Sequence, residues 1–219
     1  MRLQPGMDGL GLYLVTDRHT AGGSIPALIE AVEEALEGGV RFVQLREKDL
    51  GGRELLRLAR TLREITSVFG ARLVVNDRTD VAILSDADGV HLGQNSVSPQ
   101  DARILLGEDK LIGVSTHSLE EALTAQAEGA DFITLGPVFH TPSKAAWGDP
   151  VGLGTLRRVA GSVSVPVYAI GGIKADRLAG VLEAGANGAA VISAVLGPGD
   201  VRTKASTLLT AFYAGGDKK

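Results

Sequence analysis

Arg46-Glu47-Lys48-Asp49 follows the apolar run FVQL, and Asn76-Asp77-Arg78 follows LVV. The same succession recurs along the chain. Gln94-Asn95-Ser96 follows GVHL, Ser115-Thr116-His117 follows LIGV, and Gly136-Pro137 with Thr141-Pro142-Ser143-Lys144 follows FITL. Gly171-Gly172 follows VPVYAI, and Ser193 ends AAVIS. Taken singly, each cluster has an ordinary reading. Residues 46–49 fit a solvated loop, Asn76-Asp77 a helix N-cap, His117 a packed or capping side chain, and Gly171-Gly172 a tight turn. Taken together they point to anion handling. Gly171-Gly172-Ile173 and Ile192-Ser193 would present backbone N–H groups at helix starts, an arrangement suited to a phosphate monoester. Arg46, Lys48 and Lys144 would give three cationic contacts to a second, more highly charged phosphate. Asp77 then needs a metal ion, because a bare carboxylate beside pyrophosphate would only repel it. Two phosphate sites imply two phosphorylated substrates.

Other chemistries lack their residues. The chain has no cysteine, which excludes disulfides, zinc-thiolate and iron–sulfur ligation and a cysteine nucleophile. It shows no His-x-x-x-His pair, no close pair of carboxylates at a strand end, and no Ser–His–Asp set in a nucleophile elbow. An enzyme built this way would work by positioning substrates and stabilising a leaving anion. The formal charge of −4 offers no general attraction for nucleic acid or anionic membrane. Without a run of about 18 apolar residues or a charged-then-apolar leader, the expected setting is the cytoplasm.

The elements that must position these groups are legible in the hydrophobic pattern. Strands are expected near 11–16, 42–45, 73–75, 89–92, 111–114, 132–135, 165–170 and 189–193. Between them, 25–39, 52–70, 118–130 and 175–186 carry apolar residues at three- and four-residue steps, and each closes near a glycine suited to a helix C-cap. A weak echo, EGGVRFVQL, SDADGVHL, AEGADFITL and EAGANGAAVI, returns every two strand–helix units. Eight such units over residues 1–219 suit a single-domain (β/α)8 TIM barrel, with regular structure over about 9–215 and a short polar tail. In such a barrel the loops after the strands converge on one mouth. A doubly wound open sheet is the alternative, but no G-x-G-x-x-G fingerprint links strand to helix.

VQLREKDL (43–50), VNDR (75–78), DGVHLGQ (88–94), GVSTHS (113–118), LGPVFHTPSK (135–144), AIGGI (169–173) and VISA (191–194) together resemble the motifs of thiamine phosphate synthase and of the superfamily it shares with thiazole tautomerase. The resemblance implies a (β/α)8 barrel that joins 4-amino-5-hydroxymethyl-2-methylpyrimidine pyrophosphate to 4-methyl-5-(2-phosphoethyl)thiazole and releases pyrophosphate. Gln44, Leu45, Arg46, Glu47, Lys48, Asn76, Ser115 and Lys144 match positions that hold the pyrimidine pyrophosphate. Thr141, Pro142, Ser143, Gly172, Ile192 and Ser193 match those for the thiazole phosphate, and Asp77 matches a ligand of Mg2+. Arg46, Lys48, Lys144, Ser115 and His117 are the residues expected to take part in catalysis. A homodimer is left open.

One position departs from the pattern. The family usually carries a second magnesium-binding Asp where this chain has Ser96, so Ser96 is expected to serve only as a weak site, through a bound water. A thiazole tautomerase, with His117 as acid/base, would need neither pyrophosphate nor metal. Arg46, Lys48, Asp77 and Lys144 would then have no use. A non-catalytic phosphate binder is the third reading.

Overall fold

The computed structural model describes residues 10–141 and 149–216. Each apolar run becomes a strand, too short for a helix and bounded by turn residues. The strands are β1 (Leu12–Val15), β2 (Phe42–Leu45), β3 (Arg72–Asn76), β4 (Gly89–Leu92), β5 (Leu111–Thr116), β6 (Phe132–Leu135), β7 (Val167–Ile170) and β8 (Gly188–Val191). All pair in parallel in chain order, and β8 pairs back onto β1, giving a single closed (β/α)8 barrel. Strand β5 runs further than its apolar core suggests. Ser115 and Thr116 lie within it, in register with Thr134 and Leu135.

The helices are α1 (Ile25–Glu37), α2 (Gly52–Val68), α3 (Thr79–Leu84), α4 (Pro99–Leu106), α5 (Leu119–Ala127), α6 (Gly152–Ala160), α7 (Ala175–Glu183), α8 (Ser193–Leu196) and α9 (Val201–Gly216). Serine caps start three of them. Ser24, Ser98 and Ser118 accept from the N–H groups of Ala27, Asp101 and Glu121. The expected glycines sit one place beyond the C-caps of α1 and α5, where Gly39 (φ 102) and Gly129 (φ 91) take the left-handed conformation that turns the chain into the next strand.

Alternation along each strand divides the core in two. Leu14, Val43, Leu45, Leu73, Val75, Ile133 and Leu135 pack outward against the helices. Tyr13, Val15, Phe42, Val74, Phe132, Tyr168 and Ala190 fill the barrel interior. Tyr13 stacks on Phe42 with ring centroids 4.1 Å apart, and Phe132 and Tyr168 meet both rings edge-on. This aromatic plug leaves the strand ends above it as the place for polar chemistry.

Three of the four members of the internal echo share a structural device. The residue before β4, β6 and β8 turns its side chain back to cap the start of the preceding strand. Asp88 accepts from Leu73 N at 2.8 Å, Asp131 from Ile112 N at 2.7 Å and Asn187 from Val167 N at 2.9 Å. Asp88 also pairs with Arg63 and Arg72, and Asp131 with Arg103. These groups all sit at the barrel end opposite the polar clusters.

Candidate active site

Directly above the aromatic plug lies a layer of polar side chains. Gln44 Nε2 donates to the Tyr13 phenol oxygen at 2.6 Å, and that phenol lies 3.2 Å from His91 Nδ1. The other ring nitrogen, His91 Nε2, is 3.0 Å from Ser115 Oγ and 3.5 Å from Thr134 Oγ1. Tyr13, Gln44 and His91 are buried, whereas Ser115 is half-buried at the upper edge of the layer. Burial, helped by the nearby Arg46 charge, lowers the His91 pKa from 6.5 to about 3. The imidazole is therefore neutral at ordinary pH. Burial likewise pushes the Tyr13 phenol well above its usual range, so it keeps its proton.

The loops after β1 and β2 are clamped together. Thr16 Oγ1 donates to Glu47 Oε1 at 2.8 Å and accepts from Arg46 N at 2.8 Å. Glu47 also receives the Arg18 backbone N–H and guanidinium. Arg18 pairs with Asp49, whose carboxyl its guanidinium holds well below the usual range. The Glu47 carboxylate is thus buried and fully engaged, while Leu45 packs outward against the helices. Any contact of either with a ligand in the mouth falls to the backbone. Among the described residues, half-buried Arg46 and exposed Lys48 form no ion pair.

Asn76 ends β3 and Asp77 follows it with φ 66, unusual for a residue with a side chain. The Asp77 N–H bonds His91 O at 2.9 Å, which ties this turn to β4. Arg78 turns away onto Asp80, and among the described residues the exposed Asp77 carboxylate makes no hydrogen bond or ion pair. Beyond β4, Ser96 Oγ accepts from Gly93 N at 2.8 Å and Ser96 N returns to Gly93 O at 3.1 Å. The Ser96 hydroxyl therefore closes the turn. No group of three or more His, Cys, Asp or Glu that could hold a metal occurs among the described residues.

At the top of β5, His117 is bound to the first turn of α5. Glu121 Oε2 accepts from His117 N at 2.8 Å and lies 3.1 Å from its Nδ1, while Gln94 Nε2 is 3.3 Å from the same nitrogen. Desolvation opposes ionisation of Glu121, but these bonds outweigh it and its pKa is lowered. Across the mouth, Gly171 and Gly172 press against the loop after β6. A Cβ on Gly171 would collide with Pro137, and one on Gly172 with Phe139 and His140. Arg177 fixes this contact by donating to Gly172 O at 2.6 Å and lying over the Phe139 ring at 4.8 Å. Exposed Ser193 opens the short α8, with Ile192 before it as N-cap, so first-turn N–H groups face the mouth side of β8. Thr141 is half-buried; Pro142, Ser143 and Lys144 lie outside the described residues.

The family model of thiamine monophosphate synthase matches residues 12–195. The chain belongs to that family. It is 54% identical over 198 residues to a putative thiamine-phosphate synthase of Geobacter sulfurreducens, covering 90% of this chain and 92% of that protein. It is 46% identical over 197 residues to the thiamine-phosphate synthase of Moorella thermoacetica, covering 90% and 93%. A solved thiamine phosphate pyrophosphorylase from Pyrococcus furiosus superposes with a TM-score of 0.86 at 41% identity, covering 94% of this chain and 96% of that one. The activity is thiamine-phosphate synthesis, a transfer that couples pyrimidine pyrophosphate to thiazole phosphate and releases pyrophosphate. Tautomerase activity is not favoured.

Within this synthase barrel, sequence reasoning overlooked Tyr13, Thr16, Arg18 and His91. A signal for His91 existed. Gln44, His91 and Thr134 are each the third residue of FVQL, GVHL and FITL, polar positions in otherwise apolar strands. Equal strand parity turns all three inward. No such signal marked Thr16 and Arg18, whose partner Glu47 lies some thirty positions away in the chain (|i−j| = 31 and 29).

Proposed function

We propose that synthesis runs through two anion subsites at the barrel mouth. Gln44, Arg46, Lys48, Asn76, Ser115 and Lys144 hold the pyrimidine pyrophosphate. Thr141, Pro142, Ser143, Gly172, Ile192 and Ser193 hold the thiazole phosphate. The observation carrying this reading is the contrast among charged groups at the mouth. Arg18 and Arg78 are neutralised by carboxylates, whereas Arg46, Lys48 and Asp77 form no ion pair among the described residues. Cations left unpaired there are available to a ligand's phosphates. Glu47, with its carboxylate engaged, serves by holding the Arg46–Lys48 turn against β1.

Departure of pyrophosphate takes the bonding electron pair onto the leaving oxygen and leaves a pyrimidinylmethyl cation. The thiazole nitrogen then forms the new C–N bond with its own lone pair. No protein base is required, so His117, restrained by Glu121 and Gln94, is not needed as a proton acceptor for this step. Arg46 and Lys48 act by meeting the charge that grows on the leaving group.

The donor set fits Mg2+ only in part. Asp77 supplies one carboxylate with no hydrogen-bond or ion-pair partner among the described residues, and Ser96 offers a hydroxyl already engaged with Gly93. Magnesium accepts such a site when substrate phosphates and waters fill the other positions. Asp77 would hold the ion, and Ser96 would contribute weakly through a water. When bound, the ion would offset negative charge on the departing pyrophosphate. We include in this reading a cytoplasmic location, a possible homodimer and small-molecule partners only, the net charge of −4 arguing against nucleic acid and anionic membranes.

The test supplies both substrates with and without magnesium and follows pyrophosphate release beside thiazole isomerisation. Magnesium-dependent release is expected. Arg46→Ala and Lys144→Ala should each lower turnover roughly 10²-fold, the scale set by one preorganised contact to developing charge. Near-normal kinetics in both variants would refute the pyrophosphate subsite.

A further inference from the structure

We propose that His91 is a positioning residue: held as one neutral tautomer by Tyr13, it fixes Ser115 as a hydrogen-bond donor facing the pyrimidine pyrophosphate. The inference rests on the reading of Ser115 as a substrate contact.

The polarity follows from counting protons in the buried layer. Gln44 Nε2 carries only hydrogens, so across its 2.6 Å contact the Tyr13 oxygen must accept. The phenol has one proton of its own, and its other partner among the described residues is His91 Nδ1 at 3.2 Å. His91 Nδ1 therefore accepts. A neutral imidazole with a bare Nδ1 carries its hydrogen on Nε2. That N–H points at Ser115 Oγ, 3.0 Å away, in preference to Thr134 Oγ1 at 3.5 Å.

Ser115 Oγ thus accepts from below and keeps its own O–H for the mouth, where a donor suits an anionic ligand. The opposite tautomer fails on burial. With hydrogen on Nδ1, the Tyr13 oxygen would accept from both neighbours, and its own proton would have no acceptor at a residue with 0% exposure. With Gln44 Nε2 facing the phenol, satisfying every group sets one direction, from Gln44 through Tyr13 and His91 to Ser115. These residues come from β2, β1, β4 and β5, so the relay spans the barrel and couples the two walls of the proposed subsite. Gly113, beside His91 in register, has no room for a Cβ, which would meet Phe132 and the imidazole.

Three measurements test this. In protein labelled with ¹⁵N-histidine, the His91 ring, assigned by its loss in His91→Gln, should show the Nε2–H tautomer. The Nδ1–H tautomer overturns the inference alone and leaves the subsite reading intact. Second, Tyr13→Phe should lower kcat/KM for the pyrimidine pyrophosphate about tenfold, the scale of one hydrogen bond, yet have almost no further effect in a Ser115→Ala background. Equal losses in both backgrounds would mean that Tyr13 acts only structurally, against the inference. Ser115→Ala without kinetic effect overturns the Ser115 assignment itself, whatever the tautomer.

Third, His91→Gln places an amide N–H near the Nε2 position and should retain more activity than His91→Asn, whose side chain ends near Nδ1. The reverse order overturns the relay. If neither His91 variant folds, the Tyr13→Phe and Ser115→Ala pair decides, since both changes remove a single hydroxyl.

Discussion

Ser96 and His91 sit five residues apart around the end of β4, and their hydroxyl and imidazole are both committed to protein partners before any ligand arrives. In the proposed reading Ser96 adds little to a metal site, since its hydroxyl is engaged with Gly93. Ser96→Asp should therefore lower the magnesium concentration needed for half-maximal pyrophosphate release. An unchanged magnesium dependence would reject Ser96 as the neighbour of a metal. For His91 the consequence appears in stability. Its pKa in the fold is about 3 against 6.5 when exposed, so between those values the unfolded chain binds a proton that the native chain does not. Stability then rises with pH across that window and is lost on acidification, by up to about 1.4 kcal/mol per pH unit from this residue, with no further gain above the unfolded value. Denaturant midpoints measured from about pH 4 to 7 should fall less steeply on acidification in His91→Gln than in the parent protein.

At the scale of elements, the two ends of the strands are specialised. At the mouth, Thr16, Arg18 and Glu47 tie the β1 and β2 loops into one unit, so that the Arg46–Lys48 turn is carried by backbone and buried charge. At the opposite end, Asp88, Asp131 and Asn187 repeat one device, a side chain capping the preceding strand. Asp88 is the most heavily engaged, with Arg63, Arg72 and Leu73 N around it. Asp88→Ala would leave a buried N–H and two arginines without their acceptor. A loss of about 2 kcal/mol is expected, less than for a wholly buried pair because Arg72 is nearly half exposed. Chemical denaturation checks this, and kcat should change little because the site lies at the other end of the strands.

For the whole molecule, closure is the decisive event, and α9 secures it. This helix packs against α1, α7, α8 and β1, burying Val201, Ala205 and Leu208 beside the β8–β1 seam. Its Phe212 ring occupies the space a Cβ on Gly11 would need, just before β1 begins. Gly11→Ala should therefore push α9 outward and destabilise the fold by about 1–3 kcal/mol, the usual range for overpacking. A thermal melt unchanged from the parent would show that α9 is not needed at the seam.

The sequence by itself determined the number of strands, their parallel order, the end at which polar groups gather and the family to which they belong. Each of these follows from local pattern: apolar runs of strand length, helical spacing between them, and polar residues just past each run. It also contained the device shared by three members of its echo, because Asp88, Asp131 and Asn187 stand at the same place before a strand. Only the tertiary structure decided which polar groups answer one another. Tyr13 and His91 are 78 positions apart, and Gln44 is 31 from Tyr13; they meet because barrel closure turns residues of matching parity inward at one height. Glu47 shows the same limit. Its place beside Arg46 and Lys48 reads as part of a charged ligand loop, but the β1 loop folding over β2 places Thr16 and Arg18 on its carboxylate. Chain neighbours fix what kind of group stands at the mouth, and packing between distant strands fixes whether that group is spent on the protein or left for the substrate.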